Sequence, residues 1–114
     1  MLLSGQLRLE PHEKQDIREA VEAASARVGV AWKRISLFGS RTDPSAKGGD
    51  IDLYIEVDVL PGGNLSAFPR ALRLDLQDRL GEQKIDLVID DRRKHLGAFG
   101  EIVKRTKVDL WTKD

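Results

Sequence analysis

The chain has 114 residues, which allows one domain spanning residues 1–114 and is too short for two independent cores. Its 19 basic side chains match its 19 acidic ones, and a formal net charge of zero argues against a dedicated nucleic-acid binder. There is no cysteine, which excludes disulfides and thiolate metal sites, and no apolar run approaches the roughly 18 residues that span a bilayer.

The opening Met1-Leu2-Leu3-Ser4-Gly5 is too short for the apolar region of a signal peptide, so a cytoplasmic protein without membrane contact is expected. Pro11 to Val28 reads as a helix, because Ile17, Ala20, Val21, Ala24 and Val28 recur at three- and four-residue steps. Pro11 suits its first position and Gly29 its exit. Lys33 to Phe38 is short, β-branched and aromatic, which predicts a strand ended by Gly39-Ser40. Residues 41–49 are rich in turn formers.

Asp50 to Val57 is the clearest strand. Ile51, Leu53, Ile55 and Val57 alternate with Asp50, Asp52, Tyr54 and Glu56, which predicts one core face and one wet face. The loop Leu60 to Asn64 leads into a helix over Ser66 to Leu80, with Leu65, Phe68, Leu72, Leu76 and Leu80 on its buried side. Lys84 to Asp90 predicts a third strand, with Ile85, Leu87 and Ile89 inward and Asp86 outward. A last helix over Ala98 to Lys107 and a short edge strand at Val108 to Trp111 complete the order. The expected class is α/β, in the wider sense α+β: a twisted mixed sheet with helices packed on one face.

Three carboxylates stand on the non-core faces of two of these strands. Asp50 and Asp52 are two apart and project side by side, roughly 7 Å between Cα atoms. Asp86 joins them if its strand is a neighbour. Such clusters are unfavourable without cations, and oxygen-only ligands suit Mg²⁺ or Mn²⁺, two of which can clamp both oxygens of a phosphoryl displacement. Gly39-Ser40 follows a strand, where backbone N–H groups and the Ser40 hydroxyl can approach a phosphate. Ordinary roles compete: a solvated strand face for the acids, a plain turn for Gly39-Ser40, a solvated loop side chain for Arg41. The register of all three elements together favours the site.

Leu37-Phe38-Gly39-Ser40, nine residues, then Asp50-Ile51-Asp52-Leu53 resembles the signature of the DNA polymerase β nucleotidyltransferase superfamily. Lys84-Ile85-Asp86-Leu87-Val88 resembles the strand that carries its third carboxylate, and the short chain resembles its minimal nucleotidyltransferase (MNT) branch. Gly49 stands before Asp50 where Ser is common in that branch, and Thr42-Asp43-Pro44 follows Arg41 in place of a small-basic-Gly string. The resemblance implies the nucleotidyltransferase fold. It also implies that Asp50, Asp52 and Asp86 are catalytic and hold two Mg²⁺ ions, with Gly39, Ser40 and Arg41 binding the nucleotide.

The implied reaction transfers a nucleoside monophosphate, AMP from ATP foremost, to an acceptor hydroxyl. The MNT branch resembles antitoxins paired with small helical HEPN-domain toxins, which implies a protein acceptor and a hetero-oligomer. The acceptor surface is expected on the wet sheet face around the three aspartates, with the loop Leu60 to Asn64 nearby. The alternative is a binding module, an antitoxin or regulatory subunit that neutralises its partner by contact alone. A nucleic-acid polymerase fragment is disfavoured by the zero net charge. Trp32, Trp111, His12 and His95 read as core, rim or surface residues, and Tyr54 as packing on the sheet.

Overall fold

The computed structural model describes residues 10–39, 51–81, 83–91 and 97–113. Helix α1 (Pro11–Val28) opens with the Glu10 N–H donating to Glu13 Oε1 at 3.0 Å, and it ends at Gly29 in the left-handed region, φ 79°. Strand β1 (Val30–Phe38) begins three residues earlier than the apolar alternation indicates. Strand β2 is Ile51–Val59 and strand β3 is Ile85–Asp90. Helix α2 is Phe68–Leu80, led in by a single 3₁₀ turn at Leu65–Ala67. Helix α3 (Gly97–Thr106) and strand β4 (Val108–Thr112) follow.

The four strands form one mixed sheet in the order β3-β2-β1-β4. β1 is antiparallel to both neighbours, while β2 and β3 run parallel. The β2-to-β3 connection passes through α2, as parallel strands require. A register shift between Trp32 and Arg34 keeps Val30 and Trp32 on the same core face as Ile35 and Leu37, although their parity differs.

The main core lies between that face and the helices α1 and α2. Ile17, Val21 and Ala24 of α1 meet Phe68, Leu72 and Leu76 of α2 over Ile35, Leu37, Ile51, Leu53, Ile55 and Ile85. Arg79 to Glu19 (2.8 Å) and the pair Arg27–Asp75 join the two helices at the surface.

The expectation that all helices share one sheet face is corrected. Val103 of α3 packs with Phe38, Tyr54 and Val88, which point away from the main core, so α3 covers the second face. Tyr54 is therefore fully buried on a face expected to be wet, and its hydroxyl donates to the carboxylate of Asp90, itself buried. Farther across that face, Asp109 of β4 accepts from Ser36 (2.7 Å), Arg34 (2.6 Å) and Lys107 (2.6 Å), tying the edge strand down. Burial raises the Asp109 carboxyl, but these three donors outweigh it and hold it below the ordinary carboxylate range.

Candidate active site

The register across the sheet decides which expected site residues meet. Phe38 pairs with Asp52, and Asp52 pairs with Asp86, so one row crosses β1, β2 and β3. Neighbouring strands lie about 4.8 Å apart, which sets the two aspartates side by side on one face. Asp52 is half-buried and Asp86 is exposed. Two carboxylates so placed repel each other when ionised.

This row opens into a cleft of about 520 Å³. β1 supplies Phe38 and the following Gly39, β2 supplies Asp52, and β3 supplies Asp86, Leu87 and Val88. Arg73 of α2 and Phe99 of α3 also line it. The volume falls in the range of small-molecule and cofactor sites. Gly39 leaves β1 with φ 75°, and a Cβ on it would overlap the Asp52 carboxylate. The left-handed backbone favours glycine there, and any side chain at this position would have to push the Asp52 carboxylate aside.

Three of the expected site residues, Gly39, Asp52 and Asp86, thus converge in one cleft. The other three, Ser40, Arg41 and Asp50, lie outside the described residues. Among the described residues no set of three metal-ligating side chains is formed, and Asp52 with Asp86 supplies two of the expected three. The donors are carboxylate oxygens, a chemistry that fits Mg²⁺ or Mn²⁺ rather than a soft metal.

The loop Leu60 to Asn64 is not part of this site. The Leu60 N–H donates to Gly29 O (3.0 Å) and the Asn64 N–H to Val28 O (2.7 Å), which fixes the loop to the turn between α1 and β1. The loop follows β2, whereas Asp52 stands at its start. Eight residues of strand separate Asp52 from Leu60, on the order of 26 Å. The acceptor surface proposed from the sequence is corrected accordingly.

Two lining residues carry no sequence motif. Arg73 donates from Nη1 to the Ile85 carbonyl, which anchors its guanidinium beside β3. Phe99 sets its ring edge-on to Phe38, with centroids 6.1 Å apart and planes at 73°. A weak signal existed for Phe99. With Gly100 and Val103 facing the sheet, Phe99 and Ile102 form a second apolar pair that a short helix has no core to bury.

No protein-family model and no curated protein matches the chain. Among the described residues no helix is long and apolar enough to cross a membrane.

Proposed function

We propose that this chain is a metal-dependent nucleotidyltransferase that moves a nucleoside monophosphate, AMP from ATP foremost, onto a hydroxyl of a partner protein. The observation that carries this reading is the register pairing of Asp52 with Asp86 beside the Gly39 turn, within a cleft large enough for a nucleotide.

Asp52 and Asp86, with Asp50 two residues before Asp52 in the sequence, would hold divalent cations. When bound, such ions supply charge neutralisation and in-line alignment of the attacking and departing oxygens. The chain's own groups do the rest. The backbone at Gly39 and Ser40, with Arg41, receives the terminal phosphates. Asp86, the more exposed of the two carboxylates, would accept the proton of the incoming hydroxyl. The hydroxyl oxygen bonds to the α-phosphorus, the bond from that phosphorus to the bridging oxygen breaks, and pyrophosphate leaves. Positioning and preorganised charge contribute most of the rate.

The partner fits the description of a small helical protein of the HEPN kind, as the resemblance implies. A contact-only role draws on a separate observation: Phe99 and Ile102 leave an apolar patch exposed on α3. Incubating the co-purified pair with Mg²⁺ and ATP, followed by intact mass of the partner, separates the two. One added AMP on the partner, lost with Asp86→Asn while the pair still co-purifies, is the expected result. An unmodified partner under conditions where metal and ATP bind leaves the contact-only role.

A further inference from the structure

We infer that Phe99 is the nucleobase platform of the cleft, stacking the base of the bound nucleotide while the phosphates lie toward Asp52 and Asp86. The inference deepens the proposed function and rests on it. Phe99 is 64% exposed, so the larger part of its ring is open to a ligand entering the cleft that it lines. Its ring meets Phe38 edge-on, with the planes at 73°. Phe38 is the β1 residue in the same row as Asp52 and immediately precedes Gly39. The ring and the two carboxylates therefore line one cleft.

The rest of the cleft sorts by chemistry. Asp52 and Asp86 suit the cation-bound phosphates, and the Arg73 guanidinium, anchored on the Ile85 carbonyl, adds positive charge to the lining. Phe99, with Leu87 and Val88, gives the apolar part. A ligand that is polyanionic at one end and flat and aromatic at the other matches both halves. A base stacked on an aromatic ring is gripped without hydrogen-bond readout, so the platform binds ATP and other nucleoside triphosphates alike.

A partner-docking role for the same ring is distinguished by Ile102, which is 50% exposed one turn further along α3 and does not line the cleft. The experiment compares wild type, Phe99→Ala, Phe99→Trp and Ile102→Ala by calorimetric titration, without any partner. The probes are Mn²⁺ alone, inorganic tripolyphosphate with Mg²⁺, and ATP with Mg²⁺. Phe99→Ala should lose roughly ten- to hundred-fold in ATP affinity and keep its affinity for Mn²⁺ and tripolyphosphate. Phe99→Trp should restore ATP binding, and Ile102→Ala should leave it unchanged. Unaltered ATP affinity in Phe99→Ala overturns the inference and leaves the proposed function standing. Equal losses for ATP and tripolyphosphate overturn it too, since the ring then shapes the cleft and not the base site. If wild type binds neither Mn²⁺ nor ATP, the proposed function fails and the platform fails with it.

Discussion

At the residue scale, Gly39 and Tyr54 show how the same strand row-work serves a site and a core. Gly39 carries φ 75° and admits no Cβ beside Asp52. Gly39→Ala should cost about 1–2 kcal/mol for the left-handed backbone. More tellingly, it should weaken Mn²⁺ binding, because the new methyl must displace the Asp52 carboxylate. Thermal melts and Mn²⁺ titration on the same sample check both, and unchanged metal affinity would remove Gly39 from the site. Tyr54 is the chain's single tyrosine, so tyrosinate absorbance reports it alone. Burial, then the hydrogen bond to Asp90, pushes its hydroxyl well above the ordinary value of 10.0. A raised folded-state pKa means that the stabilisation is fully present below about pH 10. It is lost as pH rises beyond that, where only the unfolded chain ionises. Tyrosinate absorbance should therefore stay absent through pH 10 and appear together with unfolding. A free titration at pH 10 in the folded state would contradict the buried Tyr54–Asp90 pair.

At the element scale, the helix stripe and the β2 alternation were legible because each has a single uninterrupted period. Phe68, Leu72 and Leu76 are fully buried on α2 as their spacing demands, with Leu65 and Leu80 packed at the margins. Leu76→Ala should lower stability by about 2–5 kcal/mol in denaturant unfolding. A variant as stable as wild type would place Leu76 off the core. The start of β1 was not legible, since the register shift at Lys33 breaks the parity of Val30 and Trp32 against Ile35 and Leu37. Nor was the position of α3: alternation says which β2 residues leave the main core but not whether a helix covers them. The sequence therefore indicates that Tyr54 packs on the sheet but not that α3 buries it completely. Of the candidate site, the grouping of Gly39, Asp52 and Asp86 was suggested by motif spacing, and they come together because β2 and β3 are adjacent and in register. Phe99 and Arg73 were not, because each reaches the cleft from a helix with its own structural period. The Leu60–Asn64 loop was misplaced for a simpler reason. Sequence proximity to Asp52 counts residues, and a strand carries its two ends apart.

At the scale of the whole molecule, the site should be bought with stability, since Asp52 and Asp86 stand side by side across the β2–β3 pairing that carries the core. Two ionised carboxylates side by side repel each other, and a bound cation would relieve that repulsion. An Asp52→Asn/Asp86→Asn protein keeps the shape of both side chains while losing the charge, and exchanges one acceptor oxygen of each for an amide donor. If the two charges strain the sheet, this variant should melt at a higher temperature than wild type when no divalent ion is present. Adding Mn²⁺ should reverse the order. Binding at a hundred times the dissociation constant stabilises wild type by about 2.7 kcal/mol, a rise of roughly 10 °C for a chain of this size. The double variant should show no such rise. Melting both proteins with and without Mn²⁺ gives four temperatures that fix the interpretation. A metal-dependent rise that survives in the double variant would place the ion elsewhere. A variant less stable than wild type without metal would mean that Asp52 and Asp86 hold the sheet together instead of straining it, and the case for them as a cation site would lose its physical basis.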